Sequence, residues 1–173
     1  GCCFKCAFCC SASMNTQIRF REPKLVVDEM VQIVKERGVK SFRFSDEFFN
    51  ARVARVATLC SEIRSRVELR GCRWRVSVAA NNHERSMFED MRAAGCEEIS
   101  LGVESFDERV LEGLNCGKCN SRTILEAAKN AKLSGLTVRA LMMCGLPFED
   151  ERTLALDTQF MESPYVDCVA MTV

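Results

Sequence analysis

The first ten residues, Gly1-Cys2-Cys3-Phe4-Lys5-Cys6-Ala7-Phe8-Cys9-Cys10, contain five cysteines. Cysteine in a core behaves as a small hydrophobe and has no reason to cluster. Clustered thiols bind metal or form disulfides. Cys2, Cys6 and Cys9 are spaced C-x3-C-x2-C, and a loop of that spacing can fold three thiolates around one inorganic centre. With only three protein ligands, a four-iron cluster keeps one iron open for another molecule. Other readings compete for the same thiols. Cys3, Cys6 and Cys9 spell the C-x2-C-x2-C opening of a ferredoxin, but the position of its next ligand is Ser13, followed by Met14 rather than Pro. A zinc site would be nearly all cysteine, because His83 is the single histidine. A disulfide knot is the third alternative, and composition argues against it.

The chain has 173 residues, enough for one domain with a core. Hydrophobic residues make up 47% and charged residues 28%, ordinary globular usage. Lys+Arg and Asp+Glu are both 24, so no nucleic-acid footprint and no attraction to an acidic membrane is indicated. No apolar run approaches a membrane span, and no signal peptide is recognisable. The remaining cysteines are scattered: Cys60, Cys72, Cys96, Cys116, Cys119, Cys144 and Cys168. A secreted disulfide scaffold is shorter and richer in loops. Scattered thiols among strong helix and strand patterns predict a reducing compartment, the cytoplasm. The start at Gly1, with the cysteine motif beginning at the second residue, predicts a piece of a longer protein.

Helices and strands must position the thiols. Residues 23–38 carry Val26, Met30, Ile33 and Val34 at helical spacing, with Pro23 at the start and Gly38 at the end. Further helices are predicted at about 51–66, 84–94, 107–114, 121–134 and 151–162. Strands are predicted at 41–45, 73–79, 98–103, 137–144 and 166–173, the second alternating Trp74, Val76 and Val78 with Arg73, Arg75 and Ser77. Strands alternating with helices of this length mean βαβ units and a parallel sheet with right-handed crossovers. Strand parity predicts a helix-facing apolar side carrying Phe42, Phe44, Ile99, Leu101 and Val103. The opposite side carries Arg43, Ser45, Arg75, Ser77, Ser100, Gly102 and Glu104. A closed barrel fills that space with branched apolar residues. A polar concave face suggests an open cleft, or, for Arg43 and Arg75, ion pairs near the sheet bottom. Ser45 and Glu104 are placed at strand ends, where ligands bind in α/β sheets.

Gly1-Cys2-x-x-x-Cys6-x-Phe8-Cys9 resembles the signature of radical S-adenosylmethionine (SAM) enzymes. The resemblance implies that Cys2, Cys6 and Cys9 hold three irons of a 4Fe-4S cluster, that SAM chelates the fourth through its amino and carboxylate groups, and that Phe8 lies near the adenine. It extends along the chain. Phe44-Ser45-Asp46-Glu47 stands where the family has a Gly-Gly-Glu or looser acidic motif for the SAM amino group. Ser45 and Asp46 replace the glycines, and Glu47 keeps a carboxylate. Gly102-Val103-Glu104-Ser105 looks like a G-x-E-S pattern of several subfamilies, cobalamin-binding ones included, which implies Glu104 and Ser105 at the SAM ribose and methionyl part. Gly145-Leu146-Pro147 resembles the turn that approaches the adenine, with Gly145 permitting close backbone. Arg139, on the strand before it, is a candidate partner of Glu104 or of the SAM carboxylate, with an ordinary surface or structural ion pair as the equal alternative. For Glu47 a helix cap or a solvated loop, and for Ser105 a helix cap, is the plain alternative.

The implied architecture is a partial (β/α)6, TIM-barrel-like radical SAM core across residues 1–173. Five strands are counted, so the first of six is expected to be missing, leaving an exposed sheet edge. The implied chemistry is reductive cleavage of SAM to methionine and a 5′-deoxyadenosyl radical, with the cofactor carrying the reaction. The substrate, small molecule or peptide, is not legible. The resemblance implies a reductant such as flavodoxin or ferredoxin, and its cobalamin-binding branch implies cobalamin from a domain outside this chain. Cys116 and Cys119 form a second C-x2-C that lacks two further ligands for an auxiliary cluster. Two other classes stay open: a non-catalytic iron-sulfur protein for electron transfer or sensing, and a zinc-stabilised α/β binding module.

Overall fold

A computed structural model describes the chain apart from residues 15, 16, 115, 116 and 118, and apart from the side chains of residues 12 and 13. In order, the elements are α1 (Ser11–Met14), α2 (Pro23–Arg37), β1 (Ser41–Arg43), a 3-10 turn (Phe49–Ala51) and α3 (Val53–Ser65). A second 3-10 turn (Val67–Leu69), β2 (Arg73–Ala79), α4 (Arg85–Ala93), β3 (Cys96–Glu104) and α5 (Glu108–Gly113) follow. The chain then forms α6 (Ser121–Leu133), β4 (Thr137–Met143), α7 (Glu151–Met161) and β5 (Cys168–Thr172). The five strands pair in parallel, in sequence order β1-β2-β3-β4-β5, and curl into a half-barrel. Sequential parallel order follows from helical crossovers that return each strand beside the last.

Local sequence explains the element ends. Pro23 suits the first turn of α2, whose exposed amide would have no partner. Asn120 and Asp150 build capping boxes with Thr123 and Thr153 at α6 and α7, satisfying amides that a helix start leaves open. The core lies between the outer sheet face and the helices. Trp74, Val76, Val78, Ile99, Leu101 and Val103 are buried there against Met87, Phe88 and Met91 of α4 and Ile124, Ala127 and Ala131 of α6. Trp74 carries the one polar atom of this set, and its indole N–H donates to the Ala94 carbonyl at 2.8 Å. Among the scattered thiols, Cys60, Cys72 and Cys96 behave as core hydrophobes. Cys60 and Cys96 are buried, and burial pushes the Cys60 thiol up to about 12. None of the described cysteines forms a disulfide.

Three predicted strands are shorter than expected, the one read as 137–144 by a single residue and the first and last by two or more. The one read as 41–45 stops at Arg43, because after the Phe44 amide bonds the Arg75 carbonyl at 3.1 Å the chain turns into Phe49–Ala51. That turn carries no hydrophobic period and was not foreseen. β5 begins at Cys168, although the Asp167 amide already reaches the Val138 carbonyl at 2.9 Å. Among the described residues β1 pairs with β2 alone.

Candidate functional site

Strand register builds the concave face in rows. Ala79, Gly102, Leu141 and Ala170 align across β2 to β5. One step toward the strand starts lie Ser77, Ser100 and Arg139. Arg43, Arg75 and Glu98 form the row below. The cysteine loop covers the C-terminal end of this face. It is held by the Ala7 amide donating to Leu114 O at 2.9 Å, by the Cys9 amide donating to Cys6 O at 3.0 Å, and by Phe4 tilted against Phe48 with ring centroids 5.1 Å apart.

Beneath the loop is a cavity of ≈ 190 Å³. Cys2, Cys6 and Cys9 line it together with Phe8, so the three thiols of the C-x3-C-x2-C spacing meet at one place. Cys3 and Cys10 do not line it, and both are exposed. From the sheet come Ser77, Ala79, Gly102, Leu141 and Glu104, and from the loop after β1 come Glu47 and Phe48. A larger cavity of ≈ 550 Å³ lies at the N-terminal end of β2 and β3, lined by Arg64, Arg66, Arg70 and Arg92 among others. It has none of the clustered thiols, and in open parallel sheets ligands bind at the carboxyl ends of strands.

Two carboxylates reach the cysteine cavity. Glu104 is 8% exposed and has φ 66°, in the left-handed region that costs a residue bearing a Cβ. The register shifts between Gly102 and Glu104, and this irregularity re-aims the strand end. Glu47 accepts a hydrogen bond from the Ser11 hydroxyl at 2.7 Å, which ties the loop after β1 to the helix that follows the cysteines.

The other sequence candidates fall elsewhere. Ser45 and Asp46 are exposed outside the cavity, and Ser45 instead borders a groove against α2 with Val26 and Met30. The short β1 explains this, because Ser45 has left the strand alternation that would face it inward. Ser105 is fully buried and turned away: its hydroxyl donates to Asp157 Oδ1 at 3.1 Å and accepts from the Asp107 amide at 3.2 Å. Arg139 does not meet Glu104. Its guanidinium grips Glu98 with two bonds, Nε to Oε1 at 3.0 Å and Nη2 to Oε2 at 3.1 Å. It shares a row with Ser77, which lines the cavity, but does not line the cavity itself. Gly145 has φ 81° and lies outside the lining, its amide donating to Glu149 Oε2 at 2.8 Å. Cys119 is described but Cys116 is not, so the second C-x2-C lies partly outside the described residues.

Sequence reasoning missed two buried polar residues that hold the walls. Asn50 is fully buried; its amide N–H groups donate to the Ala79 carbonyl at 2.8 Å and the Asn82 carbonyl at 2.7 Å, and its oxygen accepts from the Ala79 amide at 3.0 Å. It fastens the loop of Glu47 and Phe48 to the end of β2. Asp157 of α7 accepts the Phe106 amide at 2.5 Å and the Ser105 hydroxyl, fixing the turn after Glu104. Burial raises its carboxyl against those hydrogen bonds. Nothing in the local pattern separates Asn50 from a loop asparagine.

The donor chemistry fits an iron-sulfur cluster. Among the described residues no three His, Cys, Asp or Glu side chains stand close enough to share one ion. A cubane sets its thiolates on different irons, so three thiols around a common space suffice. Residues 1–160 match the radical SAM superfamily. The chain belongs to this superfamily. It is therefore an enzyme domain of a family that uses a 4Fe-4S cluster and SAM. It is 27% identical, over its whole length, to an uncharacterized methyltransferase of Pyrococcus horikoshii, covering 37% of that protein. Across 89% of the chain it is 28% identical to the anaerobic magnesium-protoporphyrin IX monomethyl ester cyclase of Cereibacter sphaeroides, of which 25% is covered. The radical SAM methyltransferase TsrM of Kitasatospora setae, solved with tryptophan and a SAM analogue, superposes on all of this chain with a TM-score of 0.90 at 20% identity, over 34% of its own length. The same enzyme has been solved with cobalamin and a [4Fe-4S] cluster. The chain thus spans between a quarter and two fifths of the length of these relatives.

Proposed function

We propose that this domain binds a 4Fe-4S cluster through Cys2, Cys6 and Cys9 and uses it to cleave SAM reductively. The observation that carries the reading is the meeting of those three thiols, Phe8, Glu47 and Glu104 around one cavity at the strand ends. When bound, the reduced cluster and SAM supply methionine and a 5′-deoxyadenosyl radical, which takes a hydrogen atom from substrate. The chain's own residues do the positioning. Glu47 and Glu104 present carboxylates suited to an ammonium and a ribose diol, and Phe8 offers an aromatic face to a base. The apolar rim of Phe4, Phe48 and Leu141 limits water at the site.

The reductant is a low-potential carrier of the flavodoxin or ferredoxin type, and scattered thiols without a disulfide among the described residues support a cytoplasmic setting. Among the described residues no helix is long and apolar enough to cross a membrane. Likeness to TsrM supports a cobalamin domain working beside this one. The test is electron paramagnetic resonance of anaerobically reconstituted, dithionite-reduced protein with and without SAM. A 4Fe-4S signal that shifts on adding SAM and vanishes in Cys6→Ala supports the reading. A signal indifferent to SAM would make the domain an electron carrier, and a colourless zinc protein would refute the cluster altogether.

A further inference from the structure

The floor of the half-barrel carries an unusual charge pattern. Arg43 and Arg75 are direct partners on neighbouring parallel strands, about 4.8 Å apart along the sheet. Like charges placed opposite each other destabilise a sheet. The carboxylate in their row, Glu98, pairs with Arg75 in register, yet both of its oxygens are taken by Arg139. The hydrogen bond and charge of Arg139, and then the charges of Arg75 and Arg43, hold Glu98 below the usual carboxylate range against its desolvation. Three guanidinium groups thus converge on one acid, and among the described residues Arg43 and Arg75 have no ion pair of their own. They border a cavity of ≈ 270 Å³ that Ser77, Ser100 and Leu141 also line. Ser77 and Leu141 line the cysteine cavity as well, so the two spaces adjoin.

We propose that this floor is an anion subsite, in which Arg43 and Arg75 hold a carboxylate or phosphate group of the substrate, with the Ser77 and Ser100 hydroxyls beside it. Paired guanidinium groups suit such groups, because each presents a planar fork of donors. The SAM carboxylate is not the occupant, since on the proposed function it belongs at the cluster, at the other end of the strands. Two to four residues of β2 separate Arg75 from the row of Ser77 and that of Ala79, about 7 to 13 Å at strand rise. The substrate is therefore an anion whose reacting carbon lies about that far from its charged group. The inference rests on the proposed function for the place of reaction, but not for the anion site itself.

The test separates the two. Glutarate and, separately, inorganic phosphate are titrated calorimetrically into the full chain, as reconstituted and again after iron removal. Binding in both forms is expected, so failure of the cluster reading leaves the result standing. In Arg43→Gln/Arg75→Gln, affinity falls by about tenfold or more, the loss expected for charge-assisted hydrogen bonds. Arg64→Gln/Arg70→Gln, a control pair at the remote cavity, leaves affinity unchanged. Glu98→Gln frees Arg139 and tightens binding. Arg43 and Arg75 are exposed and repel each other, so circular dichroism melts of their variant fall no lower than those of the wild type. Tighter glutarate assigns a substrate carboxylate, and tighter phosphate a phosphoryl group. No binding of either probe, equal binding by wild type and the Arg43/Arg75 variant, equal loss in the control pair, or weaker binding in Glu98→Gln would overturn the proposal.

Discussion

Replacing Asn50 tests how the site wall is held. Its side chain makes three hydrogen bonds in a fully buried place, two donated to the Ala79 and Asn82 carbonyls and one accepted from the Ala79 amide. Asn50→Ala removes all three. At about 1 kcal/mol net for each bond, the loss is about 3 kcal/mol. For a chain of this length that lowers Tm by about 6 to 12 °C. Asn50→Asp is nearly isosteric but worse. It keeps an acceptor for the Ala79 amide, yet loses both donors and turns a carboxylate toward two carbonyl oxygens, which buries an uncompensated charge. The assay is urea unfolding followed by circular dichroism, with the midpoint read at unchanged slope. A loss under about 1 kcal/mol for Asn50→Ala would mean that water replaces the side chain without cost. An Asn50→Asp variant as stable as wild type would refute the donor assignment.

Cys2→Ala, Cys6→Ala and Cys9→Ala should each abolish iron binding and the visible absorbance of reconstituted protein, whereas Cys3→Ala and Cys10→Ala, outside the cavity, should retain both. Asp107 is held at about 2 by the Arg109 guanidinium, with help from the Thr153 hydroxyl and the Arg109 amide. A depressed carboxyl stabilises the fold above its unfolded value of 3.8 and loses that contribution as pH falls toward about 2. Because Arg109 is half exposed, the contribution is about 1 kcal/mol, so the gap in stability between wild type and Asp107→Asn should narrow by most of that amount between pH 4 and pH 2 in urea titrations. Gly95→Ala should cost more than Gly145→Ala in thermal melts. Both have positive φ, but a Cβ at Gly95 would stand 2.6 Å from the Cys72 carbonyl oxygen, while at Gly145 it meets nothing. The left-handed strain alone is about 1 to 2 kcal/mol, and equal costs would refute the contact.

What the sequence determined by itself was periodic or local. Alternation along residues 73–79 and the helical spacing of Val26, Met30 and Ile33 placed elements and order, because a period of two or of 3.6 residues is fixed by backbone geometry. The parallel half-barrel followed from that order. The cysteine spacing sufficed to bring three thiols to one cavity, since residues within eight positions of each other need only one loop. Even the polar concave face was legible, because parity assigns faces without knowledge of neighbours. Tertiary structure decided everything that depends on which strands lie side by side and where they end. Arg139 pairs with Glu98 rather than Glu104 because register sets partners, and register is not written in either strand alone. Ser105 faces Asp157, 52 residues away in sequence, because α7 packs beside the turn after β3. Ser45 lost its place at the cavity because β1 ends two residues earlier than alternation suggests. Asn50 looked like any loop asparagine until Ala79 and Asn82 closed around it, for burial is a property of the assembled chain and not of the residue.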